Sequence, residues 1–335
     1  MTIPAGVAES TERLAGCIRM HIVVFTHLQG TTHLMTAMEN HPIRYVDPVF
    51  RPPSEAESLI LPVTDGCSWN KCTFCEMYTA PQKKFRARDE SEVMEMIERC
   101  GEFYGSGVRR IFLADGDALM LPTHRLARIL QAIARFMPSV ERVSSYCLAR
   151  NLRRKSVGEL TDLREAGLQM AYLGAESGDD AVLKKANKGE TFESTSAALD
   201  KLAKAGIKRS VMILNGLGGD RYSNQHADNS ARLVNATQPE YLATLVVSFP
   251  NGAQRFRSAF PEFEPLDRIG LFREMYRFIE GLELGDTVFR SDHASNWLVL
   301  KGTLGADKSR MLGQLDQAIN RPATAPLRPD WARGL

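Results

Sequence analysis

The stretch "SLILPVTDGCSWNKCTFC" at residues 58–75 joins a short apolar run to three closely spaced cysteines. The run at 58–64 is short, apolar and followed by an Asp-Gly turn signal, which is typical of a buried β-strand. Cys67, Cys72 and Cys75 come directly after it, so the cysteine loop begins where the strand ends. The strand therefore places all three thiols at one end of the sheet that it joins.

The sequence after residue 57 alternates short apolar runs with longer helical patterns. Helical patterns at 90–107 and 194–207 each end close to a glycine, which is a usual helix stop. The further candidate strands are "VRRIFLA" (108–114), "RVSSYCL" (142–148), "QMAYLGA" (169–175), "IKRSVMILN" (207–215) and "YLATLVVS" (241–248). Six strand–helix units indicate parallel strands joined by crossover helices. The predicted fold class is α/β, a partial (β/α)6 barrel of the TIM type, with a doubly wound open sheet as the alternative.

The chain divides into three predicted segments. Residues 1–50 form an N-terminal extension that we expect to be partly disordered, because it shows little sustained periodicity. Residues 51–285 form the barrel core domain, and residues 286–335 form a C-terminal segment and tail that close the open side of the barrel. In a parallel sheet or barrel, ligands bind beyond the carboxyl ends of the strands, and polar or glycine-rich sequence collects there in this chain.

Composition and charge favour an ordinary soluble protein. The 335 residues carry a formal net charge of +2 and are 44% hydrophobic, so the charge balance calls for neither nucleic acid nor an anionic membrane as partner. No apolar run approaches the roughly 18 to 20 residues of a membrane span. The remaining cysteines, Cys17, Cys100 and Cys147, are scattered and form no disulfide framework. We expect a cytoplasmic protein.

The cysteine loop predicts a metal site with three protein ligands. Structural zinc needs four closed ligands, and no further Cys or His occurs between residues 42 and 99. A zinc site that borrows a distant ligand remains an alternative. Three thiolates suit a [4Fe-4S] cluster that leaves one iron open for a ligand that is not protein.

The loop and three later segments resemble the radical S-adenosylmethionine (radical SAM) superfamily. Phe74 precedes the last cysteine, as an aromatic residue does in that family. The first two cysteines are separated by four residues, one more than the family's usual three. The other segments, which follow the second, fourth and fifth strands, are "LADGDAL" (113–119), "YLGAESGDD" (172–180) and "ILNGLGGD" (213–220). The resemblance covers residues 57 to 250.

The resemblance implies two cofactors, a [4Fe-4S] cluster and S-adenosylmethionine, and a role for each matching residue. Cys67, Cys72 and Cys75 would ligate iron. The adenine would lie near Phe74 and near the backbone of Gly216 and Gly218, and the ammonium group of the cofactor would lie near Gly116 and Asp117. Ser145 and Glu176 would bind the ribose hydroxyls or the methionine end.

Each of these residues also has a purely structural interpretation. Asp117 could cap the helix that begins near Thr123, and Glu176 could cap a helix at 178–186. The glycines could be turn formers, and Phe74 could be ordinary core.

The segment "FRSDHASNWLVLKGTL" at 289–304 carries an unusual density of polar side chains. Such groups are expensive to bury unless they hydrogen-bond to something. We expect this segment to line the substrate pocket, with His293 as an acid–base group and Arg290 as a second catalytic residue. A hydrogen-bonded structural corner is the alternative. Arg86, in the basic run after the cluster loop, could likewise meet a substrate carboxylate or phosphate.

The predicted function is reductive cleavage of S-adenosylmethionine to a 5′-deoxyadenosyl radical that abstracts hydrogen from a small or medium-sized substrate. The expected partners are that substrate and an electron donor such as flavodoxin or ferredoxin; a membrane partner is not expected, and nucleic acid is disfavoured. One alternative is a tRNA- or tetrapyrrole-modifying enzyme with the same chemistry. Another is a noncatalytic iron–sulfur or zinc protein that senses redox state or binds a partner.

Overall fold

A computed structural model of the chain describes residues 41–333, and its centre is an eight-stranded sheet. The strands of this sheet are β1 (Leu59–Pro62), β4 (Arg110–Ala114), β5 (Arg142–Cys147), β6 (Leu168–Glu176), β7 (Lys208–Asn215), β8 (Tyr241–Val246), β9 (Val288–Ser291) and β10 (Leu300–Thr303). They lie in chain order, and β1 and β10 are the two ends of that order. All neighbours pair in parallel except β9 and β10, which are antiparallel.

Helices on the outside connect the parallel strands. They are α1 (Glu90–Tyr104), α2 (Thr123–Phe136), α3 (Val157–Glu165), α4 (Asp180–Lys185), α5 (Phe192–Lys204), α6 (Gly219–Thr237), α7 (Gln254–Ala259), α8 (Arg268–Glu280) and α9 (Leu304–Asn320). Side chains fix several helix starts: Asp89 accepts hydrogen bonds from the first turn of α1, and Ser156 and Glu159 form a capping box on α3. Within the described residues, no helix combines the length and hydropathy that a membrane crossing requires.

The predicted α/β fold with a partial parallel barrel is confirmed, and the sheet is larger than expected. All six predicted strands are present, and the predicted helices at 90–107 and 194–207 correspond to α1 and α5. Strand β10 lies inside the polar segment at 289–304, and β9 begins one residue before it. Each has only four residues and includes a charged one, so neither shows the alternation of apolar and polar residues that indicates a strand. The prediction of disorder over 1–50 falls mostly on residues 1–40, which lie outside the described residues.

The segment before β1 packs into the amino end of the barrel. The hydroxyl of Tyr45 donates a hydrogen bond to the carbonyl of Ile60, at 2.9 Å. Glu55 is fully buried and accepts hydrogen bonds from Tyr172 and Arg142, at 2.6 and 2.8 Å. An inner apolar cluster that includes Phe112 packs against this segment inside the barrel. These contacts close the amino end, so the carboxyl end is where a ligand can enter.

A short ribbon supports the cysteine loop beside the barrel. Strand β2 (Thr64–Asp65) continues from β1 and pairs antiparallel with β3 (Arg86–Ala87). Lys83 lies between them in sequence and forms an ion pair with Asp115, and both side chains are almost completely buried. Breaking a buried pair of this kind by removing one partner costs about 3–5 kcal/mol. The ion pair therefore fixes the return of the loop against the end of β4.

Candidate functional site

The three cysteines of the loop are free thiols at the carboxyl end of β1. Cys67, Cys72 and Cys75 are each half-buried, and none is in a disulfide. Cys100 and Cys147 are fully buried in the core between sheet and helices. Only the loop cysteines are therefore both free and accessible at the mouth of the barrel, among the cysteines of residues 41–333.

The donor set fits an iron–sulfur cluster better than a single ion. No group of three or more His, Cys, Asp and Glu side chains between residues 41 and 333 is arranged to hold a metal ion. The zinc alternative requires ligands that close around one ion, and the described residues offer it no such arrangement. A cubane takes each cysteine at a different iron, so its ligands lie farther apart than those of one ion. Three free thiols in one loop supply the donor type and number that a cluster with one open iron requires.

Burial makes the thiols reluctant to ionise without metal. Desolvation raises the pKa of Cys67 and of Cys72, and it raises the pKa of Cys75 to about 12. The ammonium group of Lys188 acts in the opposite direction on Cys72 and Cys75. Metal binding requires thiolates, so loading the site would release protons and would be favoured by this nearby positive charge.

Two glycines let the start of the cysteine loop touch other backbone: Gly116 at the end of β4, and Gly66 against the returning segment at Lys83. A Cβ atom on Gly116 would lie 1.9 Å from the carbonyl oxygen of Gly66 and 2.8 Å from the Cα of Cys67. A Cβ atom on Gly66 would lie 2.1 Å from the carbonyl oxygen of Lys83. Both glycines also have positive φ angles, +53° and +71°, which other residues rarely adopt. The close approach therefore requires glycine at both positions.

Asp117 is fully buried and binds the cysteine loop directly. Its carboxylate accepts hydrogen bonds from the backbone N–H of Ser68 at 2.8 Å, from the hydroxyl of Ser68, and from Asn151 at 3.0 Å. Burial raises the pKa of Asp117, although these hydrogen bonds oppose the rise. Asp117 is not the cap of the following helix, because Pro122 occupies that position.

Glu176 forms a buried ion pair with a lysine that the sequence reasoning did not identify. The Nζ of Lys188 lies 2.9 Å from Oε1 of Glu176, and both side chains are buried. Burial opposes the charge on Lys188, but Glu176 and the thiols of Cys72 and Cys75 raise its pKa. Glu176 has a positive φ of +65° and does not cap α4, because Asp179 does. The ion pair therefore places one positive and one negative charge near the cysteines.

Trp69 anchors the middle of the cysteine loop to the segment after α4. Its indole N–H donates to the carbonyl of Asn187 at 2.8 Å, and the guanidinium of Arg150 lies 3.8 Å from the ring centroid. Gly189 lets the ring approach, since a Cβ there would lie 2.4 Å from it. The longer spacing between the first two cysteines thus includes a residue with its own anchor on the barrel.

Replacing Trp69 with Ala is expected to loosen the loop and weaken metal retention. The stacking and the hydrogen bond together are worth about 1 to 2 kcal/mol, so a chelator should remove iron roughly tenfold faster from the reconstituted variant. Chelator kinetics followed by the loss of visible absorbance would measure this. Trp331, which is 81% exposed, supplies the matched control, Trp331→Ala. Equal rates in the wild type and Trp69→Ala would contradict the anchoring role.

Phe74 and the predicted glycine segment meet in one apolar cluster. Phe74 packs against a buried group that includes Leu217, between Gly216 and Gly218. The N–H of Gly216 donates to Oε1 of Glu274 at 2.6 Å, and Gly218 precedes the first residue of α6. Glu274, a buried acid on α8 that sequence reasoning missed, also accepts a hydrogen bond from Ser223 at 2.7 Å. The structure therefore brings Phe74 and the glycines together.

The structure does not bring Ser145 to the mouth of the barrel. Its hydroxyl lies near the carbonyl oxygens of Leu113 and Tyr146, at 3.1 and 3.0 Å. Its side chain lies on the same face of β5 as those of Val143 and Cys147, which belong to the core between the sheet and the helices. Side chains of a strand alternate between faces, so Ser145 points to the helix side, away from the predicted ribose contact.

Arg86 is engaged with a neighbouring acid. Its guanidinium lies 2.8 Å from Oδ2 of Asp65, and Arg88 lies 2.9 Å from the other carboxylate oxygen. The basic run therefore neutralises the buried Asp65 at the base of the cysteine loop.

The segment after β9 is tied to the carboxyl end of β8. Asn296 accepts a hydrogen bond from the N–H of Val246 at 3.1 Å and donates to the carbonyl of Thr244 at 3.0 Å. The Nδ1 of His293 accepts from the N–H of Ser295 at 3.1 Å. His293 therefore lies at the same end of the barrel as the cysteine loop, whereas Arg290 lies within β9 and pairs with Ala243 of β8.

Acid is expected to destabilise the protein through His293. Burial and the nearby Arg328 lower its pKa, so the folded state binds its proton less readily than the unfolded chain. The free energy of unfolding should therefore fall as the pH drops through the unfolded value of about 6.5, and the loss should level off below the folded pKa. Denaturant unfolding at several pH values should show a shallower fall in His293→Asn. Parallel pH profiles would contradict this assignment.

Comparisons with known proteins agree with the geometry. A family model described as the Radical SAM superfamily matches residues 61–234. The GTP 3′,8-cyclase of Chlorobaculum tepidum is 28% identical over 165 residues, which is 47% of this chain and 45% of that protein. A putative methylthiotransferase of Methanocaldococcus jannaschii is 32% identical over 153 residues, 43% of this chain and 32% of that protein. Both matches span less than half of the curated relative.

A solved structure shares the fold. Coproporphyrinogen III oxidase (HemN) from Escherichia coli, described as a radical SAM enzyme, superposes with a TM-score of 0.50 at 14% identity. The match covers 75% of this chain and 56% of that one. The superfamily consists of enzymes that use a [4Fe-4S] cluster and S-adenosylmethionine. The family model spans more than half of the chain and includes the cysteine loop and the glycine segment, so this protein belongs to the radical SAM superfamily.

Proposed function

We propose that the protein binds a [4Fe-4S] cluster through Cys67, Cys72 and Cys75 and uses it to cleave S-adenosylmethionine reductively. The observation that carries the proposal is the juxtaposition of three free, half-buried thiols with the Lys188–Glu176 ion pair at the carboxyl end of the barrel. A structural metal site needs closed ligation, whereas an open fourth position needs neighbouring groups that bind the outside ligand. When bound, the two cofactors supply an electron and a 5′-deoxyadenosyl radical that abstracts hydrogen from substrate.

The residues at the mouth can hold the two ends of S-adenosylmethionine. Its methionine end carries a carboxylate and an ammonium group, and the site offers the cation Lys188 paired with Glu176, and a second acid, Asp117, bound to the cysteine loop. Phe74 packs against the apolar cluster that includes Leu217, between Gly216 and Gly218, and this surface would receive the adenine. Asp117 is hydrogen-bonded to Ser68 and Asn151, so it orients the loop in addition to any contact with the ammonium group.

The rest of the chain would keep water and stray reactants from the site. The inner apolar cluster and the segment before β1 close the amino end of the barrel, and the loop after β9 covers the carboxyl end of β8. A reactive intermediate survives only where solvent is excluded, so this closure supports the proposed chemistry. A small or medium-sized molecule would enter from the open end, and a flavodoxin or ferredoxin would deliver the electron to the cluster.

The relatives do not favour one substrate. One relative is a GTP 3′,8-cyclase, another a putative methylthiotransferase, and HemN is a coproporphyrinogen III oxidase. Modification of a tRNA or a tetrapyrrole by the same chemistry is the alternative that the sequence analysis leaves open.

Anaerobic reconstitution followed by a cleavage assay tests the proposal. The protein should take up iron and sulfide, become brown, and form 5′-deoxyadenosine from S-adenosylmethionine only when dithionite is present. Chromatography with mass detection would quantify the product, and an unreduced sample is the control. A colourless protein that binds zinc and forms no 5′-deoxyadenosine would favour the noncatalytic alternative.

A further inference from the structure

One row of side chains runs around the inner face of the barrel from the cysteine side to the last strand. Strand pairing aligns Gly174 with Met212, Met212 with Ala243, Ala243 with Arg290, and Arg290 with Lys301. The residues next to Arg290 in β9, Phe289 and Ser291, are buried, and Phe289 belongs to the core under the helices. Because side chains alternate along a strand, Arg290 lies on the inner face of the sheet, where it is exposed to solvent.

The row begins beside the proposed cofactor site. Gly174 contributes no side chain, and a Cβ there would lie 2.1 Å from Oε1 of Glu176 and 3.4 Å from Nζ of Lys188. Lys188 interacts electrostatically with Cys72 and Cys75. The first position of the row is therefore immediately next to the charged groups that flank the cysteines.

The row ends in two positive charges that face each other across a strand pair. Like charges directly opposite on one face of an antiparallel pair are destabilising, and this pairing places Arg290 opposite Lys301. Lys301 is balanced by Asp292, whose Oδ2 lies 2.8 Å from Nζ. Arg290 has no carboxylate partner among residues 41–333; its guanidinium lies 6.0 Å from the ring centroid of Tyr241. Both cationic side chains are exposed, so a ligand can reach them.

The inner face between the two ends of the row is partly open to solvent. Met212 and Ala243, which lie between them, are only half-buried. Adjacent strands are about 4.8 Å apart, so three strand steps from Gly174 to Arg290 span about 14 Å. A molecule of metabolite size can therefore contact the cationic end while another part of it reaches the cofactor side.

We propose that Arg290 and Lys301 bind an oxyanion of the substrate, a carboxylate or a phosphate, and so make this an enzyme of anionic small molecules. Arginine presents a planar fork that matches such groups bidentately, and the neighbouring Lys301 adds an ammonium donor that is also paired with Asp292. This inference rests on the proposed function, because it identifies the substrate class of the same barrel. It assigns Arg290 to substrate binding and adds Lys301, which the sequence motifs do not single out.

A fractionated metabolite extract tests this in the reconstituted, reduced holoenzyme with S-adenosylmethionine. A small-molecule extract is divided by anion exchange into an anionic and a non-anionic fraction, and 5′-deoxyadenosine formation is measured with and without each. The anionic fraction should stimulate the wild type, and the ratio of stimulated to unstimulated rate should fall at least tenfold in Arg290→Gln and in Lys301→Gln. Arg273→Gln, an exposed position on α8, should respond like the wild type.

The outcomes separate this inference from the proposed function. Stimulation by the non-anionic fraction alone, by neither fraction, or equally in both variants and wild type would overturn the anionic substrate class. Phosphatase treatment of the anionic fraction distinguishes a phosphate, whose effect is lost, from a carboxylate, whose effect persists. Absence of any 5′-deoxyadenosine in every sample would count against the proposed function instead.

Titration calorimetry with sodium pyrophosphate and sodium citrate would then test the anion site without turnover. The two variants should bind at least one probe tenfold more weakly than the wild type, and equal or absent binding overturns the inference.

Discussion

Alanine at any one of Cys67, Cys72 and Cys75 should abolish both cluster assembly and 5′-deoxyadenosine formation. With three protein ligands for the cluster, the loss of one leaves two, and the loop contains no replacement cysteine. The expected fall in activity is at least a thousandfold, to the background of the assay. Iron and sulfide analysis after anaerobic reconstitution, together with the cleavage assay, would measure both losses.

Cys100→Ala is the matched control for these variants. Cys100 is free and fully buried in the core under the helices, away from the mouth of the barrel. Its loss should reduce packing slightly and leave the iron content unchanged. A loop variant that kept the wild-type iron content and activity would show that the ligand set differs from the one proposed.

Gly116→Ala should displace the cysteine loop without touching a thiol. The added methyl group would lie 1.9 Å from the carbonyl oxygen of Gly66 and 2.8 Å from the Cα of Cys67, and backbone cannot rotate out of the way as a side chain can. The positive φ of +53° adds about 1 kcal/mol of strain for any residue with a Cβ. We expect cleavage of S-adenosylmethionine to fall at least a hundredfold and cluster occupancy to fall with it.

Gly107→Ala separates this effect from a general intolerance of alanine for glycine. A Cβ on Gly107 would meet nothing within 4 Å, so the control should retain the wild-type iron content and rate. Circular dichroism and thermal unfolding would verify that both variants are folded. Wild-type activity in Gly116→Ala would contradict the close packing of the β4 end against the loop.

The fold was largely predictable because its strands are apolar, short and regularly spaced. The six strands from β1 and β4 to β8 carry that pattern, and parallel strands place their carboxyl ends at one rim, which indicated where to look for the site. β9 and β10 were missed because each has only four residues and exposes a charged side chain, Arg290 or Lys301.

Within the site, the sequence could not predict the direction in which side chains point or the partners that lie far away in the chain. Ser145 was chosen because it lies near the end of a strand. A shift of one residue in the pairing register moves a side chain to the other face of the sheet, and the sequence alone does not fix that register. Lys188 and Glu274 are 12 and 58 residues from their partners Glu176 and Gly216. A single sequence shows the residue types but not these pairings, so the buried charges beside the site became visible only in the folded chain.

Mössbauer spectroscopy of the reconstituted, iron-57-labelled protein tests the central claim most directly. The account predicts a [4Fe-4S] cluster in which a single iron lacks a cysteine ligand, and in which that iron alone changes its isomer shift when S-adenosylmethionine is added. Four irons that are equivalent and unaffected by S-adenosylmethionine, or a site that takes up zinc in place of the cluster, would contradict it.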